Sequence, residues 1–245
     1  MRRRALLLSG WPVAWAGGAV EPAAAQAEEL RLSRFPKSAN QLIASHILQE
    51  VYRRCGLAAR IEPLPPSRAP IEALAGRLDG EVSRLRRHQD DYPALVRVVP
   101  AFDYFVMTAF SKRRIAVASR EDLRRYRVGA IRGVQVVNDL VAGLEGVERA
   151  ANSESLFMML AADRFDIAVD VDINGAVQIH RLRQSGIQPV GVLLQAEVFH
   201  YLAPHRAYLQ ARLSEAISDM RRSGELERLK RRFSQQFIEL GLEAD

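Results

Sequence analysis

Cysteine is almost absent: Cys55 stands alone among 245 residues, so no disulfide can brace the fold within one chain, whatever the redox state of its compartment. Aromatic residues are sparse, at 7%, and the arginines are scattered along helical stretches rather than set among aromatics. No nucleic-acid-binding motif accompanies them, so the basic surplus reads as a solvated surface. Beyond residue 20 no apolar run approaches the about 20 residues that span a bilayer. His46, His88, His180, His200 and His205 lack metal-site spacing and have no cysteine cluster beside them. Gly-x-Ser-x-Gly, Walker and His-Glu-x-x-His motifs are missing as well. The sequence therefore points to no metal, no cofactor and no catalytic residue.

What is present begins with an address. Arg2, Arg3 and Arg4 precede an apolar stretch from Ala5 to Val20, and Ala23-Ala24-Ala25-Gln26-Ala27 offers an Ala-x-Ala cleavage site. That order is the secretory signal-peptide pattern, with cleavage expected near Ala27. Pro12, Gly17 and Gly18 interrupt the stretch and set it apart from an uncleaved anchor. Removing three arginines and Glu21 with the leader lowers the net charge from +6 to about +4.

The remainder alternates short β-type runs with helical patterns. Leu30–Leu32, Arg60–Glu62, Leu78–Val82, Arg127–Ala130, Ile167–Val171 and Gln188–Leu194 read as strands. A helix is expected from Asn40 to Cys55, with Ile43, Ile47, Val51 and Cys55 on one stripe and Gly56 as its stop. Ser67, Ser119 and Ser153 are expected caps of three further helices, and Gly133 opens one toward Leu144. Two arginine-rich amphipathic helices, split by Ser223-Gly224, close the chain. The rhythm predicts an α/β fold with mainly parallel sheets.

Five segments, in order, resemble family 3 extracellular solute-binding proteins. They are Ala73–Gly80, Val99–Tyr104, Ser119–Leu123 with Arg127–Gly133, Leu160–Ala168, and Met220–Leu229. The resemblance covers nearly all of the mature chain and implies a two-lobed periplasmic binding protein type 2 fold. Each lobe would be a mainly parallel sheet flanked by helices, with two hinge crossings between them. Residues 28–102 and 195–245 would form one lobe and residues 103–194 the other, after a leader of 1–27. It further implies a monomeric periplasmic receptor that is not an enzyme. Such a receptor closes on a small polar ligand, an amino acid or an organic acid, and hands it to the membrane permease of an ABC importer.

Ligands in open parallel sheets lie beyond the C-terminal strand ends, which selects the candidate residues. Ser83 and Arg84 follow the Leu78–Val82 strand, where a guanidinium can grip a carboxylate. Arg68 follows the second strand at a helix start. Phe35 leaves the first strand as a stacking surface. Arg132 and Gln135 belong to a strand-to-helix turn, and Asp170 and Asp172 are placed on one face of the Ile167–Val171 strand for a ligand ammonium. The chain departs from the family in three places. His88-Gln89-Asp90-Asp91 stands where the carboxylate-binding arginine is usual, Val134 and Gln135 replace a hydroxyl residue, and the amino-group aspartate aligns with Val171. Two other classes therefore stay open: a dehydratase-like enzyme using Asp170 or His88 as acid or base, and a degenerate binding-type protein whose cleft serves a protein partner.

Overall fold

The computed structural model describes residues 29–183 and 185–240; the expected leader and its cleavage site lie outside them. Strand β1 (Glu29–Arg34) leads to α1 (Ala39–Arg54), β2 (Ala58–Pro63), α2 (Ala69–Leu74), β3 (Gly80–Leu85), the one-turn α3 (His88–Asp91) and the two-residue β4 (Val96–Arg97). Strand β5 (Asp103–Ser111) then opens a second set: β6 (Val128–Ile131), α4 (Gln135–Val141), β7 (Glu148–Ala150), α5 (Ser153–Ala161), β8 (Ile167–Val171) and α6 (Asp172–Arg181). Strand β9 (Gln188–Leu202) returns, and α7 (Gln210–Arg222) and α8 (Glu225–Leu240) close the chain. No helix among the described residues is long and apolar enough to cross a membrane.

The strand order is β2-β1-β3-β9-β5-β8-β6-β7, with β4 paired to β9. Strands β1, β2 and β3 run parallel, as do β6, β7 and β8. Between these two units lies the antiparallel pair of β5 and β9. Two α/β lobes result, each mainly parallel, joined through those two long strands. The first part of β9 pairs with β5, while Val198 to Leu202 pair with β3 and β4.

Packing follows the predicted stripes. Ile43, Ile47, Val51 and Cys55 of the first helical segment are all buried, against Leu213, Ile217 and Met220 of α7 and Phe237 of α8. Ile173 and Val177 of α6 join the same cluster, so apolar contact runs from one lobe into the other. Phe110 of β5 lies so close to Gly175 that a Cβ there would fall 2.2 Å from the ring. That contact fixes α6 against β5. At the lobe junction Lys230 of α8 reaches Asp103 Oδ1 at 2.7 Å and also donates to the Tyr104 carbonyl.

Several local expectations need correction. Strand β3 runs to Leu85, so Ser83 and Arg84 lie within it rather than beyond it. Arg68, not Ser67, occupies the cap position of α2, with no side-chain cap bond. Ser119 precedes a short 3-10 helix, Glu121–Arg125, where the Asp122 carboxylate accepts from the Ala118 and Ser119 amides. Asn152 rather than Ser153 caps α5, in a reciprocal pair with Ser155. Asx and hydroxyl residues compete for such positions, and the better-placed acceptor takes them. Helix α4 begins at Gln135, and Gly143 follows it at φ +73. Strand β9 continues eight residues past Leu194; Gln195 and Glu197 read as its end because their polar side chains face solvent at the crossing.

Candidate functional site

The C-terminal ends of β1, β3, β6 and β8 face the gap between the lobes, where ligands of open parallel sheets bind. On the first lobe, Arg84 is buried. Its Nε donates to Glu81 Oε2 at 2.5 Å, its Nη2 donates to the Pro66 carbonyl at 3.2 Å, and its guanidinium stacks over Phe35 at 4.2 Å from the ring centre. His88 Nε2 lies 2.8 Å from the same Glu81 oxygen. Burial pushes the Glu81 carboxyl up, but the His88 and Arg84 contacts outweigh it, and its pKa lies below the usual value. The Glu81 Oε1 atom has no hydrogen-bond partner. The guanidinium edge that would clasp a ligand carboxylate is thus turned onto Glu81 and Pro66.

Ser83 sits beside that group, its hydroxyl oxygen and its carbonyl both accepting from the Gln41 side-chain amide at 3.3 Å. Arg68 is exposed and lies 3.7 Å from Glu72. The structure therefore brings Phe35, Ser83 and Arg84 together and leaves Arg68 on the α2 surface.

On the second lobe, Asp170 is 2% exposed. Its Oδ1 accepts from the Val171 amide at 2.7 Å and from Asn174 Nδ2 at 3.2 Å, while Oδ2 has no partner. Burial pushes its pKa up to about 6, even with Ser153, Val171 and Asn174 stabilising the carboxylate. Asn174 also reaches the other lobe, its Oδ1 accepting from the Asn40 amide in the first turn of α1 at 3.1 Å. Asp172 is exposed, is the first residue of α6, and accepts from the Ile173 amide at 2.8 Å. Strand alternation therefore does not set its direction. Arg132 donates to the Arg149 carbonyl at 3.2 Å, and Gln135 Nε2 donates to Asp139 Oδ1 at 3.0 Å.

A hollow of about 470 Å³ opens between the lobes, over β9. Leu85 at the end of β3, Val136 and Leu140 of α4, and Leu194, Ala196 and Phe199 of β9 supply its apolar walls. Arg87 pairs with Asp139 across it, linking the turn after β3 to α4. None of these residues stood out in the sequence. The available signals were the basic run from Arg84 to Arg87 directly after a strand, and the Val136, Asp139, Leu140 spacing that puts three side chains on one helical face. The volume lies within the range of small-molecule sites.

Two parallel α/β units exchanging strands β5 and β9 around an interlobe hollow decide the architecture. The fold is that of the periplasmic binding proteins. A histidine kinase sensor domain with similarity to periplasmic binding proteins superposes with a TM-score of 0.68 at 17% identity, over 84% of this chain and 96% of its own. An ancestral arginine-binding protein bound to glutamine gives 0.65 at 16%, over 84% and 97%. An amino acid ABC transporter substrate-binding protein from Streptococcus pneumoniae, bound to L-arginine, gives 0.67 at 12%, over 86% and 96%. No protein-family model matches the sequence, and no curated protein matches it. Likeness at these identities speaks for the periplasmic-binding-protein fold alone.

Proposed function

We propose that the protein is a solute receptor of the family 3 type, whose lobes close on a small ligand, an amino acid or an organic acid. It is exported with cleavage near Ala27, works as a monomer in the periplasm, and delivers its ligand to the membrane permease of an ABC importer. The observation that carries this reading is the hollow between the lobes, floored by the shared strand β9 and spanned by the Arg87–Asp139 pair. A site made from both lobes rewards closure, because ligand contacts on each side form together. Structural neighbours named for amino-acid binding support it.

Binding is favoured over catalysis. The two acid–base candidates are engaged elsewhere: His88 on Glu81, and Asp170 buried beside Asn174. Neither lines the hollow.

Thermal unfolding of the purified chain against amino acids, organic acids, polyamines and sugars tests the proposal. A ligand bound only by the native state adds about 2.7 kcal/mol at a hundredfold excess over Kd, or several degrees for a chain of this size. A selective rise confined to one chemical class supports the receptor reading. A flat response across the panel from a cooperatively folded sample removes it.

A further inference from the structure

Whatever enters the hollow must satisfy the polar groups it carries, because a buried donor or acceptor left without a partner costs more than the hydrogen bond is worth. Leu85, Val136, Leu140, Leu194, Ala196 and Phe199 offer no side-chain hydrogen-bonding group, and no serine, threonine, asparagine, glutamine or tyrosine joins them in the lining. A sugar or a polar amide would find no partner on these walls, only at the charged side chains of the lining.

Four charged side chains complete the lining, and three of them are committed. Arg87 and Asp139 hold one another, and Glu197 lies 3.2 Å from Arg221 of α7. Both acids are thus already paired, so a ligand ammonium would compete with an arginine for either one. Arg86 differs. Among the described residues its guanidinium has neither an ion-pair nor a hydrogen-bond partner, while its backbone is pinned: the Arg86 carbonyl accepts from the Tyr201 hydroxyl at 3.1 Å and from Arg97 Nη1 at 3.4 Å. A fixed backbone at the edge of an apolar hollow, carrying one uncommitted guanidinium, matches a planar oxyanion carried on a hydrocarbon body.

We propose that the hollow takes an apolar-bodied carboxylate, its hydrocarbon part lying on Leu85, Val136, Leu140 and Phe199 and its carboxylate held by Arg86; this rests on the receptor reading above and names the ligand class of that same site. The selectivity follows from the lining. Apolar walls reward the body of the ligand, and the single free cation chooses its charge.

Isothermal titration of the full chain with phenylacetate, hexanoate, phenethylamine, arginine, glutamine and succinate tests this. Phenylacetate and hexanoate should bind, and the other four should not. Arg86→Gln removes only an exposed cation, so the variant should fold as the parent does; it should weaken both acids by roughly ten- to a hundredfold, the loss of one charge-assisted hydrogen-bonded contact. Val136→Asp should abolish binding of both. Binding of arginine, glutamine or succinate in place of the two acids overturns the ligand class and leaves the receptor standing. Equal binding of phenethylamine, or acid binding untouched by Arg86→Gln, overturns it too. Silence from all six probes overturns the ligand class alone; silence across the wider panel of the previous section removes the receptor as well.

Discussion

Each lobe buries a titratable side chain, and the two are accommodated in opposite ways. In the β9 segment that pairs with β3, His200 is fully buried with both ring nitrogens engaged: Nδ1 donates to the Glu81 carbonyl at 2.8 Å, and Nε2 accepts from the Tyr52 hydroxyl at 2.8 Å. The carbonyl can only accept, which settles the neutral tautomer. Burial then pushes the pKa of His200 down to about 4. In the other lobe, Asp170 has one oxygen served and one without a partner, and burial pushes its pKa up to about 6. The lesson is one of satisfaction rather than polarity. A buried polar group whose partners are complete supports its fold, whereas a half-served carboxylate with no cation beside it, as at Asp170, is a standing cost that ionisation makes larger.

The strongest way to break this contrast is to remove the satisfied group. His200→Ala leaves a cavity and strands the Tyr52 hydroxyl, and should destabilise by roughly 3–5 kcal/mol, read from urea unfolding. The opposite sign is expected in the second lobe. Asp170→Asn keeps the Oδ1 acceptor and abolishes ionisation, so it should stabilise the protein at pH 7.5 by up to about 3 kcal/mol.

The pH dependence sharpens the comparison. His200 titrates lower in the fold than its ordinary 6.5, so its stabilising contribution is complete above that value and is lost as pH falls toward about 4. Asp170 titrates higher than its ordinary 3.8, so its cost is absent below that value and develops as pH rises through about 6. Between those limits the two slopes oppose each other. Asp170→Asn should therefore lose stability on acidification more steeply than the parent, which unfolding midpoints at several pH values would show. A smaller loss, about 1–3 kcal/mol, is expected for Tyr52→Phe, which leaves His200 Nε2 without its donor. The smallest effect belongs to the exposed interlobe pair: Asp139→Asn should change global stability by less than about 1 kcal/mol, and a larger drop would mean that this contact governs closure of the resting protein.

Much of the fold was legible because one face of each element is buried. The α1 stripe, the strands β6 and β8 and the closing helix pair all follow from periodicity. The site was less legible, and Arg84 shows why. Its partner Glu81 is three residues earlier, a spacing that regular strand alternation places on opposite faces. A register shift between Glu81 and Arg84 against β9 breaks that alternation and lets the two side chains meet. Asp172 was misdirected for a related reason, since the strand ends at Val171 and helical geometry takes over. The hollow drew on the turn after β3, on α4 and on the middle of β9, segments more than a hundred residues apart at their extremes, so no local window contained it.

The fifteen-residue strand β9 has a mechanical consequence. Two lobes tied by a slack linker swing freely, and their resting angle is whatever thermal motion makes it. Here the tie is a continuous hydrogen-bonded ribbon, β9 laid against β5, with two register shifts along its length. Rotation of one lobe against the other must wind or unwind that ribbon, so it behaves as a torsion bar with its own rest position and restoring torque. Any departure from that angle is then an elastic excursion, and the empty protein returns by itself to the angle set by the twist of its backbone.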